Sequence, residues 1–144
     1  IVGLPGETEE RFTQTLGFLR GLPFAYLHVF AYSKRPGTRA AKMGGQVHGS
    51  DVRRRSHVLK QLSDEKASAY RALLLRKRVP LWAVAEGRRG GWASGLSDHW
   101  VRVCSRNGGK VLCGAPVAER PEGLELQSGQ HNGADDVVMQ TEAR

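Results

Sequence analysis

The sequence predicts an α/β segment followed by a small all-β one, and three observations carry that prediction. A strand, a Gly/Pro turn, an amphipathic helix and a second strand succeed one another within the first 32 residues. A long helix follows. From Val79 the apolar pattern changes from helical spacing to a period of two.

Ile1-Val2 reads as the end of an apolar strand running into the turn Gly3-Leu4-Pro5-Gly6-Glu7-Thr8. A start in mid-strand, with neither a methionine nor a basic n-region, is expected of a truncated piece and carries no secretory signal. Thr8 is a fitting N-cap, and Glu9 and Glu10 place negative charge where the helix dipole favours it, although Arg11 prevents a full capping box. Phe12, Leu16 and Leu19 mark one apolar face, and Gly21 with Pro23 ends the helix. Phe24 to Tyr32 is nearly free of charge and rich in aromatic and branched residues, which predicts a strand buried on both faces. A crossover of this length implies a parallel, right-handed βαβ unit, with ligands gathering at the C-terminal strand ends. The Gly3–Thr8 turn and the Ser33–Met43 loop belong to that edge.

A glycine-rich break from Met43 to Gly49 leads to Ser50, read as the cap of a helix running to about Arg76, with Val52, Leu59, Leu62, Tyr70, Leu73 and Leu74 at helical spacing. Short strands are then predicted at Val79–Glu86, Trp92–Leu96, Trp100–Cys104, Lys110–Val117 and Leu124–Leu126, separated by Gly and Asn turns. Such a series suggests a small antiparallel barrel. The polar, acidic stretch 128–144 is expected to be disordered. The expected divisions are therefore 1–76, 77–127 and 128–144.

The formal net charge of +8 is unevenly placed: +6 over residues 1–75, +6 over 76–120 and −4 over 121–144. A body this basic favours a polyanionic partner, because Lys and Arg contacts to phosphate release counterions. No apolar run approaches the roughly 18 residues of a membrane span. Cys104 and Cys113 are too few for a disulfide framework or a four-thiolate site; they read as two buried thiols, with a cross-hairpin pair as the alternative. The five histidines show no metal-ligand spacing, so no metal site is expected in this chain.

Three blocks carry a resemblance. Ile1 to Thr8, with Glu9-Glu10 and Phe12, resembles the "IVGFPGETEEDF" strand-turn-helix of radical S-adenosylmethionine (SAM) enzymes. Tyr26 to Met43 is similar to the "LHVFPYSKRPGTPAAKM" of tRNA methylthiotransferases, with Ala31 and Arg39 standing where those families usually carry proline. Lys34-Arg35-Pro36 looks most like the subgroup acting on threonylcarbamoyladenosine. The isopentenyladenosine subgroup has a similar loop, and the ribosomal-protein subgroup usually has Glu near the position of Arg35. Gly95 to Val103 is similar to the "GLTDNYLRV" of the TRAM barrel that ends these enzymes.

The resemblance implies the C-terminal part of a partial (β/α) radical SAM barrel followed by a TRAM/OB-like antiparallel barrel. It implies a parent that replaces C2–H by C2–SCH3 on threonylcarbamoyladenosine beside the anticodon, using SAM and [4Fe–4S] clusters. Gly3, Pro5, Gly6 and Glu7 would then border SAM, and Tyr32, Ser33, Arg35, Gly37 and Thr38 the substrate. Lys77, Arg78, Arg88, Arg89, Trp92, His99, Trp100 and Arg102 would hold RNA by charge and stacking, with at least one tryptophan in the core. Such enzymes work in the cytoplasm on the tRNA anticodon arm. The CxxxCxxC that holds the cluster is absent here, so this chain alone is expected to be inactive and to need the N-terminal part of the same enzyme. A stand-alone RNA-binding module and an inert truncation product are the competing readings.

Overall fold

The computed structural model describes residues 1–89, 91–106, 111–117 and 137–141. Two compact units are present, Ile1–Ala69 and Tyr70–Arg144.

In the first unit, helix α1 spans Glu9–Gly21, and the Thr8 hydroxyl accepts from Arg11 N at its start. Phe12 is buried, and Leu16 and Leu19 pack around it with Val2 and Leu59, as the helical spacing predicts. The Lys66 ammonium donates to the Arg20 and Leu22 carbonyls at 2.7 and 2.8 Å, where a helix end attracts positive charge. A one-turn helix α2, Arg39–Lys42, interrupts what reads as a loop, and the Thr38 side chain caps it. Helix α3 runs Gly49–Lys77. Ser50 lies inside its first turn, and His48 takes the capping place: its carbonyl accepts from Asp51 and Val52, and its Nδ1 stands 2.7 Å from Ser50 Oγ.

The segment 24–32 departs from the expected strand. Its one ladder contact among the described residues is a parallel bridge between Ala31 and Val2. At Leu27, backbone N–H and C=O are instead taken by the Ser63 hydroxyl, at 2.8 and 3.1 Å. Burial is one-sided: Leu27 and Val29 are half-buried, whereas Tyr26, His28 and Phe30 form an exposed aromatic row.

In the second unit, Tyr70, Leu74 and Leu75 from the last turns of α3 pack with Val79, Leu81, Ala83, Ala93, Val101 and Val103. The division between units therefore falls inside the helix, not at its end near Arg76. Arg78 closes α3 at φ 49. Its N–H donates to Leu75 O and that of Val79 to Leu74 O, both at 3.1 Å, which is the bonding of a Schellman cap. That place suits glycine, because a Cβ is strained there. Arg78→Gly should raise the stability of the second unit by about 1 kcal/mol, read from the urea midpoint of tryptophan fluorescence. A lower midpoint would mean that the arginine side chain makes contacts worth more than the strain.

Six strands follow among the described residues: β1 Leu81–Val84, β2 Gly87–Arg89, β3 Trp92–Leu96, β4 Arg102–Arg106, β5 Val111–Val117 and β6 Val137–Thr141. They form one sheet in the order β1-β5-β6-β4-β3-β2, antiparallel except for the β4–β6 pair. An isolated antiparallel bridge, Ala83↔Ser97, also joins β1 to the residues just after β3. β2 and β6 are absent from the sequence expectation. β6 corrects the reading of 128–144 as wholly disordered: its Val137-Val138-Met139 run suits a strand between two partners. The expected strand at Trp100 begins only at Arg102, because Trp100 has φ 58 and its N–H turns back to Ser97 O at 2.9 Å. Leu124–Leu126 lies outside the described residues.

Cys104 is buried opposite Ser94 and Val138, while Cys113 pairs with Trp82, so the two are not cross-strand partners. The expectation of a core tryptophan also fails. Trp82 and Trp100 are 55% and 67% exposed, and Trp92 is half-buried with the Arg106 guanidinium 6.0 Å from its ring centroid. Alternation along β1 and β3 turns the smaller Leu81, Ala83 and Ala93 inward instead.

Candidate functional site

The site in the first unit starts from the Val2–Ala31 bridge. Val2 N donates to Phe30 O at 2.9 Å and Tyr32 N donates to Val2 O at 2.7 Å. Because the pair is parallel, the turn after Val2 and the loop after Ala31 leave from the same end and lie side by side.

Gly3 turns the chain at φ +85, and a Cβ there would stand 2.6 Å from Val52 Cγ2. Its N–H donates to Glu7 Oε2 at 2.8 Å. Gly6 N donates to Gly45 O at 2.8 Å, and Glu7 N to Leu4 O at 3.0 Å. The close approach that requires glycine at position 3 is thus to Val52 of α3. The amide donors of Gly3, Gly6 and Glu7 are engaged within the fold, and Pro5 has none.

Arg55 holds this arrangement and is the residue that sequence reasoning missed. Its side chain is 5% exposed and meets Glu7 Oε2 at 2.8 Å and Glu9 Oε2 at 3.1 Å. Nη1 also donates to the Glu7 carbonyl at 2.8 Å, and the guanidinium lies 5.4 Å from the Phe12 ring centroid. Burial disfavours its charge, but the hydrogen bonds to Glu7 and Glu9 outweigh that and hold the guanidinium above its ordinary range. Glu9 is lowered chiefly by its hydrogen bond from Arg54. A signal for Arg55 existed: Val52, Arg55, Leu59 and Leu62 follow a 3-4-3 spacing, which sets the arginine on the apolar stripe.

In the second loop, Ser33, Arg35 and Gly37 are exposed, as is Lys34. Thr38 is engaged as a cap, donating to Arg35 O at 2.8 Å and accepting from Ala41 N at 3.2 Å. The Tyr32 hydroxyl is buried with no hydrogen-bond partner among the described residues. An open cleft of about 300 Å³ adjoins the root of this loop, lined by Val29, Ala31, Arg53, Ser56, His57 and Lys60.

In the second unit, Lys77, Arg78 and Arg88 are exposed, and Arg89 follows Arg88 in β2. Trp100 stands out on its turn. His99 Nδ1 lies 2.9 Å from the Tyr70 hydroxyl, and Arg102 reaches Glu86 at 3.3 Å between half-exposed side chains. Among the described residues, no group of three His, Cys, Asp or Glu side chains could hold a metal ion, and no helix is long and apolar enough to cross a membrane. Two cysteines in the whole chain do not fit a cluster that requires three thiolates.

No family model matches the chain. Curated relatives do. The chain is 40% identical over 106 residues to the threonylcarbamoyladenosine tRNA methylthiotransferase MtaB of Bacillus subtilis, covering 72% of this chain and 24% of that protein. It is 41% identical over 124 residues to the tRNA-2-methylthio-N(6)-dimethylallyladenosine synthase of Frankia alni, covering 84% and 24%. The synthase of the same name from Pelobacter propionicus is 36% identical over 117 residues, covering 81% and 26%. The chain spans about a quarter of the length of the relatives it matches. Identity of 36–41% over more than two thirds of the chain is the signature of common descent, and the chain belongs to the tRNA methylthiotransferase family.

Proposed function

We propose that this chain is the C-terminal part of a methylthiotransferase that converts threonylcarbamoyladenosine, beside the tRNA anticodon, to its 2-methylthio derivative. The observation that carries the reading is the parallel Val2–Ala31 bridge, which brings the Gly3–Glu7 turn and the Tyr32–Thr38 loop together at one strand end. Ser33, Arg35 and Gly37 are its accessible substrate contacts, and Lys34-Arg35-Pro36 is its basis for the threonylcarbamoyl subgroup. The turn borders SAM by shape rather than by donated hydrogen bonds. SAM and the iron–sulfur cluster supply the radical chemistry of the parent, and the cluster ligands belong to the missing N-terminal part. The isolated chain is therefore inactive in methylthiolation. The whole enzyme is cytoplasmic.

The second unit is the grip on the anticodon arm. The Ala83↔Ser97 bridge supports reading its sheet as a TRAM-like barrel, and exposed Arg88 and Trp100 offer charge and a stacking face. Lys77, Arg89 and Arg102 add positive charge, while Trp92 and His99 are partly covered.

Two measurements test this. Grafting the chain into Bacillus subtilis MtaB in place of its matching 106 residues should yield an enzyme that forms 2-methylthio-threonylcarbamoyladenosine, read by mass spectrometry of digested tRNA. Formation of only the dimethylallyl product would move the chain to the second subgroup named among its relatives. In the chain alone, Arg88→Ala with Arg89→Ala should weaken binding of an anticodon stem-loop roughly tenfold and lower the salt slope by about 1 to 2. Unchanged binding would remove both from the RNA surface.

A further inference from the structure

We infer that the cleft between α3 and the segment leading into the Tyr32 loop is a phosphate-binding site, and that its occupant is a phosphodiester of the bound RNA. The RNA assignment rests on the function proposed above. The oxyanion site itself rests on geometry alone.

Arg53, Ser56, His57 and Lys60 follow one another at i, i+3, i+4 and i+7, so they share one face of α3. All four line the cleft with Val29 and Ala31. The run Arg53-Arg54-Arg55 divides by its partners. Arg54 pairs with Glu9 and Asp51, and Arg55 with Glu7 and Glu9. Among the described residues no carboxylate pairs with Arg53 or Lys60. Two exposed cations therefore meet in one concavity with no paired carboxylate among the described residues.

The second observation is Ser56. Its Oγ is shut away from solvent and has no hydrogen-bond partner among the described residues. A buried hydroxyl without a partner costs free energy. A phosphate seated between Arg53 and Lys60 would be neutralised by the two cations, and rotation of Ser56 about χ1 towards the cleft would give its O–H a phosphate oxygen as acceptor. His57 adds a ring N–H donor to the same wall. The volume of about 300 Å³ suits a phosphate group with part of its sugar. Ala31 links the cleft to the candidate substrate loop, so a phosphate held here would anchor the strand whose base lies over Ser33 and Arg35.

The test uses the 144-residue chain and two probes, a fluorescent anticodon stem-loop and inorganic phosphate. The variants are Arg53→Gln, Lys60→Gln and their combination, with Arg20→Gln as a basic control on α1. The double variant should weaken stem-loop binding roughly tenfold and reduce the salt slope by about 1, whereas Arg20→Gln should leave both unchanged. Inorganic phosphate should shift the His57 ring resonances of the wild type and not those of the double variant. Unchanged stem-loop affinity and an absent phosphate shift would overturn the site. A phosphate shift with unaltered stem-loop binding would overturn the RNA assignment. Loss of stem-loop binding in the Arg88/Arg89 variant but not here would leave the proposed function standing and end this one.

Discussion

Arg55→Ala is expected to destabilise residues 1–69 by about 3–5 kcal/mol. Its side chain is 5% exposed and its partner Glu7 is 17% exposed, so truncation strands a largely buried carboxylate that, among the described residues, keeps only the Gly3 N–H. It also withdraws the donor to the Glu7 carbonyl and the contact with Phe12. The arm to Glu9 adds little, because that carboxylate is 58% exposed and water screens it. All three tryptophans lie in the second unit, so hydrogen exchange of amides 1–69 is the suitable readout. Glu7→Gln combined with Arg55→Met should be milder than the sum of the single changes, with a coupling of roughly 1–3 kcal/mol. Exchange rates unchanged by Arg55→Ala would mean that the pair only decorates the turn, and that Val52 against Gly3 suffices to hold it.

That expectation also marks the limit of what the sequence reveals. Phe12, Leu16 and Leu19 announce their face because apolar residues at helical spacing have few other uses. Arg55 sits on an equally regular stripe, yet a third arginine in a run reads as solvated charge until its carboxylate partners, more than 40 positions away, are known. Thr38 shows the same ambiguity: a hydroxyl beside two cations suggests a ligand contact, and local backbone geometry makes it a cap. The turn at Gly3 and the loop at Tyr32 were readable as neighbours because a short crossover leaves a parallel pair little choice. The extent of the ladder was not, since Ser63 competes for the backbone of Leu27 through a contact 36 residues distant. In the second unit the change of period announced a sheet. The placement of β6 between β5 and β4 depends on long-range pairing that composition does not encode, and the acidic surroundings of Val137-Val138 concealed it.

Gly95→Val should unfold the second unit outright. Gly95 is buried in β3 opposite Val103, and a Cβ there would collide with the Val84 backbone carbonyl, with the Ala83 Cβ 3.6 Å away. A flexible side chain could move aside. A carbonyl fixed at the end of β1 cannot do so without disturbing the β1–β5 ladder and the Ala83↔Ser97 bridge. Overpacking against such a wall belongs at or beyond the upper end of its usual cost, about 3 kcal/mol. A unit of some 75 residues holds roughly 4–11 kcal/mol in total, so even Gly95→Ala should remove a large share. Gly87→Ala is the matched control: it also lies on a paired strand, facing Ser94, but its added methyl would meet only Ser94 Oγ at 3.8 Å. Tryptophan emission should report an unfolded second unit for Gly95→Val and a native one for Gly87→Ala. If both variants unfold alike, the glycine at this place answers to strand backbone conformation, and the close approach of β1 to β3 is not what requires it.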